Sequence, residues 1–252
     1  MSLGQTRLLA AALVGLLYPA TQGQWLNYPT PGIPRSKDGK PDFSAPAPKT
    51  PDGKPDLSGV WGRGGNLPNA RDIPLRPNAR ASVEQFQAQV NNKGTPLARC
   101  LPHFMLQAVP ITLYKIVQTP PLIVILYDSQ GMPLPRQIFT DGRPLPEAPS
   151  PAWMGYSVGH WEGSTMVVET AGFNDRGIVP GGIPITETTR VTERYERIDF
   201  GHMKLQITME DPQTFTEPWT FNLTPQLQAD TELLEYVCEK NDDILRHMAS
   251  PR

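Results

Sequence analysis

RQIFTDGRPLPEAPSPAWMGYSVGHWEGSTMVVETAGFND, residues 136–175, is the stretch from which the fold is read. Within it Tyr156, Val158 and His160 alternate with Ser157, Gly159 and Trp161, the two-residue period of a half-buried strand. Glu162-Gly163 supplies a tight turn, and Thr165 to Thr170 returns with β-branched residues, so a hairpin is expected. Ahead of it, Arg136 to Thr140 reads as a short strand entering a proline-rich excursion.

Outward from this hairpin the pattern repeats. Leu113 to Gln118 and Leu122 to Tyr127 are apolar and β-branched, with Thr119-Pro120-Pro121 between them, and read as two central strands. From Thr186 to Glu210 a charged hairpin is expected, with Asp199-Phe200-Gly201 as its loop and Ile198 opposite His202. That register sets Glu196 against Lys204, Arg194 against Gln206, Thr192 against Thr208 and Arg190 against Glu210, with Tyr195–Leu205 and Val191–Met209 on the other face. Phe215 to Leu223 and Glu232 to Cys238 bring the count to nine or ten strands. One helix is expected over 82–93, with Ser82 and Gln85 as a capping box, Val83, Phe86 and Val90 on one face, and Gly94 as its stop. The class is therefore all-β. Short connections predict an antiparallel meander, and hiding its edges predicts closure into a β-barrel, with a β-sandwich as the alternative. Gly59-Val60-Trp61, at the start of the first strand, resembles the Gly-x-Trp signature of lipocalin-type barrels, in which the indole plugs one end.

The ends speak to compartment. Arg7, the apolar run Leu8 to Leu17 and the small residues Thr21 and Gly23 read as a secretory signal peptide over 1–23. The run is shorter than the roughly 20 residues a spanning helix needs, so no membrane span is expected after its removal. Residues 24–55 read as a proline-rich extended tether holding two copies of one turn, Lys37 to Ser44 and Pro51 to Ser58. A single domain is assigned to 56–240 and a flexible tail to 241–252. The two cysteines, Cys100 and Cys238, suggest one disulfide in an exported chain, with two separate buried thiols as the alternative. The expected location is periplasmic or extracellular. A formal charge of −2 supplies no basic footprint for nucleic acid.

PDGKPDLSGVW, RCLPH, KIVQTPPLIVILY, IFTDGRPLP, WMGYSVGHWEGSTMVVETAGFND, RVTERYERIDFGHMKLQITMEDP and TELLEYVCEKND together resemble a large family of exported bacterial proteins without an assigned function. The resemblance covers most of the chain after Asp52 and implies no activity.

No Gly-x-Ser-x-Gly elbow, dinucleotide fingerprint or His-Glu-x-x-His motif occurs, so neither a cofactor nor a metal is expected. His103 and His202 are candidate general bases, and Asp141 and Glu169 candidate acids. Arg143, two residues beyond Asp141, is placed to hold a ligand by a forked contact, and Trp153, Tyr156, Trp161 and Trp219 to line an aromatic cavity. The plainer reading makes Asp141-Gly142 a turn, Glu169 a solvated strand residue and each histidine a loop group bonded to backbone. Three functions follow: a binder of an apolar or aromatic small molecule, a cofactor-free lyase, isomerase or hydrolase on the same barrel, or an envelope protein that holds a partner through the tether.

Overall fold

The computed structural model describes residues 29–62, 64–65, 68, 70–90, 113–128, 134–179 and 182–234. The expected signal peptide over 1–23, Cys100, His103, Cys238 and His247 lie outside them. The chain builds β1 (Gly59–Trp61), α1 (Pro77–Val90), β2 (Tyr114–Thr119), β3 (Leu122–Tyr127), β4 (Arg136–Phe139), β5 (Tyr156–Glu162) and β6 (Thr165–Ala171). It continues through β7 (Ile178–Val179), β8 (Ile183–Pro184), β9 (Arg190–Arg197), β10 (Met203–Glu210) and β11 (Trp219–Leu223). Nine of these strands form one curled sheet in the order β1-β2-β3-β4-β5-β6-β9-β10-β11, and β7 and β8 form a separate ribbon. Beyond β11 the chain reaches β1. Gly62 N donates to Gln226 O at 2.8 Å, Gln228 N to Val60 O at 2.8 Å and Thr224 N to Gly64 O at 2.7 Å.

The expected hairpins form. β5 and β6 pair from Tyr156–Ala171 to Glu162–Thr165, and Gly163 takes a φ of 62° in the turn, where a side chain would be strained. β9 and β10 adopt the charge-matched register, Glu196 opposite Lys204, Arg194 opposite Gln206 and Arg190 opposite Glu210. Tyr195–Leu205 and Val191–Met209 face the core, because a slip of one residue would turn that whole apolar row to solvent.

Four expectations are corrected. β4 and β5 run parallel, through Ile138–Ser157 and Phe139–Val158. The proline-rich segment 140–155 is long enough to cross back before β5 begins, whereas a short turn would have forced an antiparallel pair. The helix begins at Pro77 instead of Ser82: proline is preorganised for the first turn, and Ser82 Oγ donates to Asn78 O at 3.1 Å inside the helix. β11 starts at Trp219, because Phe215 bridges Leu75 and Thr216 N donates to Pro74 O. Of the strand expected over 232–238, residues 232–234 are not strand, and 235–238 lie outside the described residues.

The two turns read from the repeat are present and alike. Gly39 N donates to Ser36 O and Ser36 N to Lys40 O; fourteen positions on, Gly53 N donates to Thr50 O and Thr50 N to Lys54 O, all at 2.9 Å. The segment carrying them is docked on the sheet and does not run free. Gly201 N donates to Phe43 O, Phe200 N to Ala45 O, and Arg35 pairs with Asp230. Leu57, which follows the second turn, is 1% exposed.

Trp61 is fully buried and donates its indole N–H to Leu57 O at 2.9 Å. The Arg197 guanidinium lies 5.0 Å from its ring and donates to the carbonyls of Asp56, Ser58, Asp199 and Phe200. The last residue of β9 thus clamps the approach to β1. Burial pushes the Arg197 pKa down to about 10, and Asp56 and Asp199 offset part of that, so the cation persists at neutral pH.

Candidate functional site

Side chains at every second position of the strands point to the concave face, and three tiers of them follow in depth. The outer tier surrounds a cavity of about 230 Å³ at the β2–β3 turn. Ile123, Met166, Trp161 and Thr140 line it, together with Thr50 to Asp52 at the second turn of the repeat. The polar groups around it are already engaged with the protein. Gln118 accepts from Leu57 N at 2.8 Å and donates to Pro55 O at 3.2 Å, Thr140 Oγ1 donates to Pro120 O at 2.8 Å, and Thr50 Oγ1 donates to Asp52 at 2.5 Å. What remains facing the space is mostly hydrocarbon and indole.

Two residues further along the strands, Ile116, Ile125, Ile138, Val168 and Tyr195 meet around an apolar void of about 10 Å³. Ile123 and Met166 line both spaces and separate them. Gly159 belongs to this tier. A methyl there would stand 3.0 Å from Ile138 and 3.1 Å from Met166 Sδ, so its lack of a side chain lets the methionine pack inward.

The third tier is polar. Arg136 and Glu193, 1% and 0% exposed at the side chain, form a two-point ion pair: Nη1 donates to Oε1 at 3.0 Å and Nη2 to Oε2. Arg136 also donates to Ser157 Oγ at 3.2 Å and Thr170 Oγ1 at 2.9 Å, and Tyr195 donates to Glu193 Oε1 at 2.7 Å. Burial alone would lower the Arg136 pKa; the Glu193 carboxylate more than offsets it, leaving it raised. Tyr114 and Tyr127 complete the tier as cross-strand partners with ring centroids 6.4 Å apart. Neither phenol oxygen has a hydrogen-bond partner. The Tyr127 oxygen feels the Arg136 charge without receiving a well-aimed bond, and burial pushes its pKa up to about 12. Tyr114 and Tyr195 are likewise raised by burial.

Of the described residues singled out in the sequence, Trp161 borders the cavity, Asp141, Arg143 and Tyr156 cluster at one turn, and the others lie elsewhere. Asp141 and Arg143 pair across their own turn at 2.6 Å, with Gly142 at a φ of 84° between them. Arg143 also donates to Tyr156 Oη at 3.1 Å and lies 4.0 Å above the Phe139 ring. Its hydrogen bond holds the Asp141 carboxyl below the usual range, which suits a turn anchor better than a proton donor. Glu169 is exposed in β6, and Trp153 is half-buried in the 140–155 excursion. His202 closes the β9–β10 turn, its Nδ1 2.7 Å from Asp199 Oδ1, with nearly half its side chain exposed. Trp219 is packed between Phe215 and Phe221 in the core. Among the described residues of the named set, only Trp161 borders the cavity.

The polar tier had a signal of its own. Glu193 sits between inward Val191 and Tyr195, and Arg136 two residues before inward Ile138. Among the described residues no group of three His, Cys, Asp or Glu side chains could hold a metal, and no helix is long and apolar enough to cross a membrane. Comparison with family models, with curated proteins and with solved structures finds no match.

Proposed function

We propose that the chain is an exported small-molecule-binding protein whose curled sheet closes as a lipocalin-like barrel and whose ligand has an apolar or aromatic body. The observation that carries this reading is the cavity beside Trp161, walled by hydrocarbon and indole, with its surrounding hydroxyls and amides already engaged. A dry apolar cavity of about 150 Å³ is enough for a benzene ring, and this one is larger. Closure is supported by the bonds that β1 makes to 224–228. Export to the periplasm or beyond, a Cys100–Cys238 disulfide and membership of the exported bacterial family rest on the sequence. The enzyme reading is the weaker one, because among its described residues Asp141, Glu169 and His202 lie apart, each on its own stretch of surface.

Toluene is the test ligand. Saturable one-to-one binding, followed by calorimetry and by Trp161 ring shifts, is expected, and Thr140→Trp, which fills the cavity from its rim, should abolish it. Toluene that partitions without saturation, or binds Thr140→Trp equally well, would sink the proposal.

A further inference from the structure

Only two side-chain polar atoms among the buried described residues lack a partner, and they are cross-strand neighbours on one tier: Tyr114 Oη and Tyr127 Oη. An unmatched buried hydroxyl costs stability, and two side by side make a pair of donors with nothing to donate to. Every other polar group of the tier is engaged. Four Arg136 hydrogen bonds go to Glu193, Ser157 and Thr170, and Tyr195 caps Glu193. The charges cancel within the tier, so a buried anion would face Glu193 and a buried cation Arg136, neither with a free counter-ion. An uncharged oxygen has no such penalty and can accept from both phenols.

The apolar residues of β2 and β3 continue inward to this pair, which borders neither the cavity nor the void. From Trp161 at the cavity to Ser157 in the polar tier, four residues of β5 cover about 13 Å, so a ligand reaching the phenols must displace the side chains between. Met166, shared by both spaces, is an unbranched thioether with three rotatable bonds, the kind of side chain that yields to a ligand.

Resting on the binding reading above, we propose that the ligand is an uncharged molecule with an apolar ring or chain and one terminal hydroxyl or carbonyl oxygen, which passes Met166 and hydrogen-bonds to Tyr114 and Tyr127. The polar tier thereby selects for a neutral oxygenated head over both pure hydrocarbon and carboxylate.

Three probes of one shape separate the possibilities: ethylbenzene, 4-ethylphenol and 4-ethylbenzoate, titrated into the full chain at pH 7 by calorimetry. One or two hydrogen bonds at about 1 kcal/mol each predict 4-ethylphenol binding about five- to thirty-fold tighter than ethylbenzene, and no binding of 4-ethylbenzoate. The isosteric Y114F/Y127F variant should remove that preference while leaving ethylbenzene affinity unchanged. Equal affinity for ethylbenzene and 4-ethylphenol, a preference that survives the double variant, or tight binding of the benzoate overturns the inference and leaves the binding protein standing. If none of the probes binds, both proposals fall.

Discussion

The Arg136–Glu193 pair is the most exacting test of the three-tier interior. Both side chains are within 1% of complete burial, and the guanidinium is held by four hydrogen bonds. Glu193→Gln keeps the shape and an acceptor for Tyr195 but leaves the guanidinium without its counter-charge. Breaking one side of a buried pair costs about 3–5 kcal/mol, and a chain of this size loses about 2–4 °C of Tm per kcal/mol. The single variant should therefore melt about 6–20 °C lower. Arg136→Met removes the other partner and should cost a similar amount. In R136M/E193Q no charge is left in the tier, so the two losses should fall short of their sum by about 2 kcal/mol or more. Urea unfolding of the four proteins at pH 7, with Tm as a second readout, measures the cycle. Losses that add to within about 0.5 kcal/mol would mean that the two groups act independently, as they would if water reached them, and the dry polar tier would be refuted.

Asp211 accepts hydrogen bonds from the hydroxyls of Thr186, Thr188, Thr189 and Thr214 and from Gln213 N. Burial raises its pKa, but those bonds win and leave it lowered. Its stabilisation is therefore complete above the unfolded carboxylate pKa of about 3.9 and is lost as pH falls through the lower folded value; Asp211→Asn should flatten that acid limb of Tm against pH and cost about 1–3 kcal/mol at pH 7. Gly201→Ala would put a Cβ 2.4 Å from Phe43 Cβ, so limited proteolysis should cut within residues 30–48 while the β9–β10 hairpin persists; an uncut segment would show that the first repeat docks by other contacts. Tyr114→Phe removes a hydroxyl that bonds to nothing and should leave Tm unchanged or raise it; a fall of several degrees would reveal a partner for the phenol.

How legible these features were depends on how local their causes are. The β9–β10 register was readable because both faces of the hairpin vote on it, charge opposite charge outside and apolar opposite apolar inside, within one 25-residue window. The helix boundary was misread because two signals competed, and a proline at the first turn outweighed a serine-glutamine pair that turned out to lie mid-helix. The parallel β4–β5 pair was not readable from either strand. It follows from the path of the excursion between them, whose anchor, Ala152 N to Gly172 O, joins it to a residue beyond β6.

The site was hidden for a different reason. Histidines, Asp-Gly-Arg and isolated carboxylates draw notice in a β protein because they stand in loops, yet loops need them for their own geometry: Asp141 ties Arg143 across a turn, and Asp199 holds Gly201 N, His202 N and the His202 ring. A polar residue at an inward strand position has no such local use. Glu193 between Val191 and Tyr195 must find a partner across the core, and it finds Arg136, 57 residues away, whose own inward placement follows from Ile138. Each looks like a surface residue when its strand is read alone. Read with its period, each is a buried charge that must be paired, and each strand carries only half of the pair. In this curled sheet the buried polar tier is thus written in the exceptions to the alternation, and recovering it takes the registers of two distant strands at once.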